Sequence, residues 1–420
     1  MERKKPELLM PAGSPELLRT VIEYGADAVY LGDETMSLRA KAKNFSIFEI
    51  REAIAYAHER NVEVYVAANI FAHNEDLRKA LKLFLQLKEA KPDGLIISDP
   101  GVFTIAKSIC PDIPVHISTQ ANNTNYATFL FWHDQGVKRL VAARELSLRE
   151  IREIKEQLPK DMEIECFVHG VMCISYSGRC LISSFLTGRD ANRGECTHPC
   201  RWSYQLVEEK RPGQYMPVLE DDRGTYLYHS RDLCMIEHLG DLIEAGADSL
   251  KVEGRMKNAL YAAAVTRAYR RAIDDWFTSP AIYEDNIPFY AAEVAKCSNR
   301  GFTTGFYYGA PDASAQNYEG TPGNGEYVYL GTIFLEGDRY AFIQKNKFCV
   351  GDEIEVIRPD GSDHKVTVKA LYNEAGEPVD SVPHASSKCY VDLGMELKDY
   401  DIMRTVQKQG LIAEGDNKQR

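Results

Sequence analysis

Between Glu163 and Cys200 the chain reads EIECFVHGVMCISYSGRCLISSFLTGRDANRGECTHPC, which places Cys173, Cys180, Cys196 and Cys200 close together, with Cys234 further along. Thiolate is the ligand that soft metals and iron–sulfur clusters select, so this density of sulfur predicts a bound metal centre. No Cys-x-x-Cys pair occurs, and a zinc ribbon or finger therefore fits poorly. Two other readings use the same residues. The thiols can be buried and inert, packing as small apolar groups. Alternatively Cys166, Cys173 or Cys180 can pair with His169 as an activated nucleophile, although four nearby cysteines exceed what a nucleophile requires.

Around the cysteines stand other groups able to do chemistry. His169 and Glu253 each end an apolar run and are the acid–base candidates. The competing role of His169 is a hydrogen bond that holds the cysteine loop, and that of Glu253 is a salt bridge to Arg255 or Arg144. Asn69, Asp99 and Gln120 also follow apolar runs and are placed to orient a substrate, with helix capping the alternative for Asn74, Asp99 and Ser147. Arg144, Arg179, Arg189, Arg193, Arg201 and Arg255 can receive phosphates or carboxylates by bidentate contacts. From residue 251 to 271, six cations (Lys251, Arg255, Lys257, Arg267, Arg270, Arg271) face Glu253 alone; a solvated helix face explains them equally well. Tyr176 and Trp202 are suited either to stacking on a base or to packing in a core.

Apolar runs alternating with helix-length amphipathic segments must position these groups. The strand candidates are 8–12, 28–31, 62–68, 94–98, 115–118, 138–143, 163–168 and 249–252, and the helical patterns include 15–24, 48–59, 76–88 and 147–157. Ser14 before Pro15, and Ser147 with Glu150, are helix-start signals. Eight strands alternating with helices predict a mixed α/β fold, a parallel (β/α)8 TIM-like barrel. A doubly wound sheet is the runner-up, but the dinucleotide-binding G-x-G-x-x-G is missing after the first strand. Chemistry in such barrels sits at the C-terminal strand ends, where the polar candidates fall. The cysteine-rich insertion, about residues 170–248, follows the seventh strand and is expected to overhang that mouth.

The 420 residues, 44% hydrophobic and 27% charged, suit a folded protein of two unequal domains. The expected organisation is a barrel over 1–278, a loop-like linker over 279–325, a small antiparallel β-barrel domain over 326–406 and a mobile polar tail over 407–420. The MERKKPELLMPAG start lacks a secretory h-region and no long apolar run follows, so a cytoplasmic protein without a membrane partner is expected. A net charge of −12 argues against a broad nucleic-acid-coating surface, though not against a local basic patch. H-E-x-x-H and G-x-S-x-G are both absent.

The block Glu165-Cys166-Phe167-Val168-His169-Gly170-Val171-Met172-Cys173, with Ser177-Gly178-Arg179-Cys180 and Ser183, closely resembles the signature of the Peptidase_U32 (collagenase-like) family. LLMPAGSPELL at 8–18, NRGECTHPCRW at 192–202, HSRDLC at 229–234 and SLKVEGRMKN at 249–258 are similar to further family blocks in the family's order. The resemblance covers essentially the whole chain. The family name implies a peptidase. Other members are implicated in hydroxylating RNA bases or the ubiquinone ring without molecular oxygen, and carry a 4Fe–4S cluster. By that resemblance Cys173, Cys180 and Cys196 are three cluster ligands and Cys234 the fourth, with Cys200 the substitute. The long form resembles the tRNA hydroxylation members, which implies prephenate-dependent 5-hydroxyuridine formation at the wobble position of the tRNA anticodon, with a related partner subunit a further expectation. A collagenase-like peptidase and a non-catalytic RNA-binding subunit are the alternatives.

Overall fold

The structure is a computed structural model that describes residues 4–38, 44–173, 175–202, 205–207, 215–217, 230–315, 325–382 and 384–406. The described chain falls into two compact units, one formed by 1–294 with 299–323 and the other by 295–298 with 324–420.

In the first unit the apolar runs are the strands of a closed barrel. These are β1 (Glu7–Pro11), β2 (Ala28–Gly32), β3 (Glu63–Ala68), β4 (Gly94–Ile97), β5 (Val115–Ile117), β6 (Arg139–Val141) and β7 (Glu163–Gly170). Three shorter strands follow β7 at some distance: β8 (Gln205–Val207) and β9 (Tyr215–Pro217), which form a hairpin, and β10 (Asp232–Cys234). Next comes β11 (Ser249–Val252), which closes the cylinder by pairing in parallel with both β7 and β1: Ser249 lies opposite Glu165 on one side and Glu7 on the other. Strands buried on both faces read as continuous apolar runs rather than as alternating patterns, because helices cover the outside.

Those helices are α1 (Pro15–Glu23), α2 (Ile47–His58), α3 (Leu77–Ala90), α4 (Pro100–Ile109), α5 (Tyr126–Asp134), α6 (Leu148–Gln157), the short α7 (Ile182–Thr187), α8 (Leu239–Ala245) and α9 (Ala259–Thr278). Their starts are chemically marked. Ser14 caps α1 ahead of Pro15, and Ser147 with Glu150 forms a reciprocal capping box on α6. The expected fold class is therefore observed.

The N-terminal end of the barrel is filled by charge. Arg139 donates to Glu163 at 2.7 and 2.8 Å, to Glu7 at 2.6 Å and to the Tyr65 hydroxyl at 3.2 Å. Lys251 is tied to Glu165 at 2.7 Å, and both are buried. Around this network pack Leu9, Ala28, Tyr30, Ala67 and Ile96.

The expectation of a loop from Ser279 to Gly325 is corrected by α10 (Pro280–Ala295). Glycine is absent from that part and begins only at Gly301. Tyr283 and Tyr290, seven residues apart, share one face, stack with ring centroids 5.9 Å apart and are buried. Glu293 adds a buried ion pair with Arg267 at 2.7 Å. Past the helix, β12 (Phe302–Thr303) pairs with β10, and β10 runs antiparallel to the end of β7.

In the second unit an antiparallel sheet curls into a half-barrel. Its strands are β13 (Tyr327–Glu336), β14 (Arg339–Ile343), β15 (Glu353–Ile357), β16 (Asp363–Thr367), β17 (Ala370–Tyr372), β18 (Pro378–Val379), β19 (Lys388–Asp392) and β20 (Ile402–Val406), in the order β16-β15-β20-β13-β14-β19-β17-β18. The apolar alternation over 365–372 is divided between two strands, β16 and β17. The Val368 N–H turns to Asp352 while that of Lys369 turns to Asp392, so the chain changes partner there. Leu330, Phe342, Phe348, Val356 and Met403 build this unit's core. The tail over 407–420 lies outside the described residues.

Candidate functional site

The cysteine-rich excursion is pinned to the C-terminal mouth by named contacts. Asn122, in the loop after β5, donates to the Ser177 carbonyl at 2.9 Å and accepts from Arg179 Nε at 2.9 Å. Asn122 is held in the left-handed region (φ 56°), a conformation that asparagine tolerates better than most residues. The Phe71 N–H, in the loop after β3, donates to the Asn192 carbonyl at 3.0 Å, and Asn192 in turn donates to the Cys180 carbonyl at 3.1 Å. Arg193 is paired with Glu75 at 2.7 Å and Asp76 at 3.1 Å. The excursion thus bridges the loops that follow β3 and β5.

Beneath it opens a cleft of about 230 Å3, with Phe71, Ser98, Asp99, Gln120, Trp132 and Arg179 among its walls. Asp99 caps α4 by accepting from the Val102 N–H at 2.8 Å and also lines this cleft. Gly178 (φ +74°) makes the approach of the roof possible. A Cβ there would lie 2.5 Å from Gln120 Oε1 and 3.3 Å from the Phe71 ring. Asn69, two residues before Phe71, donates to the Ser118 hydroxyl at 3.3 Å.

The other predicted residues are placed differently. His169 is buried, with rings of Tyr261, Tyr269 and Phe302 within 6 Å, and its Nδ1 is 3.4 Å from the Tyr269 hydroxyl. Burial, aided by Lys257, depresses its imidazole to about 3, so it is neutral at physiological pH. Glu253 is half-buried at the mouth, where the Tyr30 hydroxyl donates to it at 3.3 Å. Arg255 is buried and donates to the Ser37 hydroxyl at 2.5 Å and the Leu38 carbonyl at 2.9 Å, which makes it a brace for the loop after β2. Arg144 stands 3.9 Å over the Phe167 ring. Tyr176 and Trp202 are about half exposed rather than packed inside. The side chain of Arg201 and residue His229 lie outside the described residues.

Sequence reasoning passed over Tyr30, Trp132 and Asn122. Glu145, beside Arg144, has its carboxyl pushed up by burial. Lys251 was read as one charge of a basic run, yet it lies inside the barrel, 4.4 Å from the centre of the Tyr30 ring. Only its alternation within an otherwise apolar strand could have signalled this.

No disulfide joins the described cysteines. Cys173 is exposed, Cys180, Cys196 and Cys200 are half-buried, and Cys234 is buried at the edge of β7. The Cys234 sulfur is 3.9 Å from the Tyr269 hydroxyl, and burial pushes its thiol up to about 12. Among the described residues no three His, Cys, Asp or Glu side chains converge closely enough to hold a metal ion. The donor chemistry suits a soft metal, but as they stand the thiols do not converge on one point.

The description "Peptidase family U32" matches residues 13–317, and "Peptidase family U32 C-terminal domain" matches residues 325–404. A protein named tRNA hydroxylation protein P1 from Bacillus subtilis is 36% identical over 96% of this chain and 95% of its own length. One named tRNA hydroxylation protein P from Escherichia coli is 37% identical over 90% of this chain and 92% of its own length. A third, from Methanocaldococcus jannaschii and named an uncharacterized protease, is 43% identical over 72% of this chain and 73% of its own length.

Proposed function

Since the chain belongs to peptidase family U32, we propose that it is an RNA-modifying enzyme that hydroxylates tRNA. The observation that carries this reading is the end-to-end similarity to proteins named for tRNA hydroxylation, which includes the C-terminal unit. The geometry is compatible with it: the mouth of the barrel has a recessed cleft, small enough for one unstacked base, beside an exposed arginine.

In its finer form the reading is prephenate-dependent conversion of wobble uridine to 5-hydroxyuridine in the cytoplasm. Oxidising a base carbon requires redox chemistry that side chains do not supply, so a cofactor has to carry it. A 4Fe–4S cluster is the proposed group, supported by the thiol-rich excursion alone, with Cys173, Cys180, Cys196 and Cys234, or Cys200 in place of the last. Holding it would require those side chains to draw together from where they stand. A related partner subunit is supported by Leu181, just before α7, and Phe185 within it, which both stand exposed. The chain's own residues would bind and orient: Arg179 and Arg144 toward anionic groups, Gln120 and Asp99 toward the base, and Glu253 as a proton acceptor fixed by Tyr30. Neutral His169, caged by aromatic rings, holds the strand beneath the cysteine loop.

A peptidase is the second reading, favoured by the name of the archaeal relative. Against it, the hydrogen-bond partner of His169 Nδ1 is a tyrosine, not a thiol or serine. Mass spectrometry of tRNA nucleosides from a strain lacking the gene, with and without the gene restored, tests the proposal. Loss and recovery of a hydroxylated nucleoside support it. Unchanged nucleosides, together with gelatin cleavage by the purified chain, would replace it with the peptidase.

A further inference from the structure

Inside the barrel, Lys251 is buried and its ammonium is paired at 2.7 Å with Glu165, which is fully buried. Stability alone is a poor reason for this pair. Glu165 Oε2 makes no hydrogen bond among the described residues, and two apolar side chains of similar volume would hold the interior about as well, because desolvating both charges offsets their attraction. The ammonium also stands 4.4 Å from the centre of the Tyr30 ring and 5.7 Å from that of Phe167, within reach of cation–π contact. From β2, Tyr30 reaches past β1 to the end of β11, where its hydroxyl meets the Val252 carbonyl at 2.9 Å and Glu253 Oε2 at 3.3 Å. The Glu253 backbone is fixed independently. Its N–H donates to the His169 carbonyl at 2.8 Å, its carbonyl accepts from the Tyr261 hydroxyl at 2.8 Å, and a Cβ on Gly170 would lie 2.3 Å from that carbonyl oxygen. What remains to be set is the rotation of the carboxylate, and the Tyr30 hydroxyl restrains it. A cation against the ring face draws on the π electrons and strengthens the phenol as a donor to a carboxylate.

We propose that Lys251 is a positioning residue for the Glu253 carboxylate, acting through the Tyr30 ring, with Glu165 holding the ammonium in place. This rests on the tRNA reading only for what that carboxylate acts on. The other charged or titratable groups at this end of β11 are neutral His169, Tyr261, Lys257, 4.9 Å from the centre of the Tyr261 ring, and Arg255, turned toward Ser37. All four are left in place in the variants that test it.

Carbon-13 NMR of the full chain labelled at glutamate, with Glu253 assigned by its loss in Glu253→Gln, reads the midpoint of that carboxyl. Lys251→Met alone strands Glu165 and should lose stability, so the informative variant is Lys251→Met with Glu165→Gln, which removes both charges and should melt within a few degrees of the parent. In it the Glu253 midpoint should rise by about half a pH unit or more, because a hydrogen bond to the charged form is weakened. Tyr30→Phe should raise it at least as far. Added to Tyr30→Phe, the paired change should move the midpoint no further, whereas a through-space effect of the lost charges or a general loosening of the fold would add in full. The hydroxylated share of tRNA in a strain carrying the paired variant should fall about tenfold, within the roughly 10²–10⁴-fold that a placed acid–base group supplies. A midpoint unmoved by the paired change or by Tyr30→Phe, or shifts that add, overturns the proposal, as does an unaltered hydroxylated share. A paired variant that fails to fold overturns it too, since the pair would then be structural. Midpoints that move as expected in a chain whose parent hydroxylates no tRNA keep the positioning role and sink the tRNA reading.

Discussion

Replacing Arg139 with methionine removes the one guanidinium that satisfies three strands at the closed end of the barrel. Its partners would be left in place: Glu7 with only the Tyr65 and Ser249 hydroxyls as donors, the Tyr65 oxygen without its donor, and Glu163 without its two contacts to the guanidinium. Glu165, 3.9 Å from the same guanidinium, is fully buried and has one oxygen that already lacks a hydrogen bond. Breaking a buried ion pair from one side costs about 3–5 kcal/mol because the other charge is stranded. For a unit of this size that is roughly 6–10 °C in Tm.

The loss should depend on pH in a definite sense. Burial pushes the Glu7 carboxyl up against the lowering pull of Arg139. Without the guanidinium it rises further. A folded-state pKa above the unfolded value contributes stability that is present below the unfolded value and is lost as pH rises through the folded one. Glu163 acts in the same direction. Burial raises it, but Arg139 overrides this and holds it low, so its contribution is present above the ordinary carboxylate value and vanishes with the arginine. The deficit of Arg139→Met should therefore be smaller near about pH 5 than near about pH 8. Adding Glu7→Gln should recover part of it, since neighbours in one network do not add. Thermal melts of the three proteins at both pH values provide the assay. A drop under about 2 °C, or an equal drop at the two pH values, would refute the network's role.

Gly178→Ala should cost about 1–2 kcal/mol for the left-handed backbone and lower affinity for a tRNA anticodon hairpin at least about fivefold; unchanged hairpin binding would show that the roof does not need its close approach. Asn122→Ala should raise hydrogen exchange over 175–180 and leave the barrel strands as protected as before, because the two hydrogen bonds that pin the excursion are lost. His169, held near about 3 by burial and Lys257, should show no imidazole midpoint above about pH 5 in an NMR titration. Its folded value lies below the unfolded 6.5, so it favours the fold above that pH and loses this contribution as pH falls toward the folded value. A midpoint near about 6.5 would mean that the aromatic cage is open.

The barrel could be read from the chain because each strand is a short apolar run and several helices announce their starts with side-chain caps. Ser14–Pro15 and Ser147–Glu150 do in the structure what their spacing implied. The interior charges were not readable. Arg139 meets Glu7 across 132 residues of sequence, and only barrel closure brings them together. Arg255 shows the same limit: its place at a strand end suggested substrate, whereas burial turns it toward the Ser37 hydroxyl. Arg193 is likewise engaged by Glu75 and Asp76. Gln120 and Asp99 were found by strand-end position alone, because loops after barrel strands converge on the mouth. Trp132 was missed since it lies within a helix and away from any strand end.

The central claim is that this chain puts oxygen on a tRNA base. Mapping ribonuclease fragments of tRNA by mass spectrometry tests it most directly, in a strain lacking the gene that carries either the parent chain or Cys173→Ser. An anticodon-loop fragment heavier by one oxygen, restored by the parent and not by the serine variant, is the expected result. An anticodon fragment of identical mass with and without the parent chain would contradict the account.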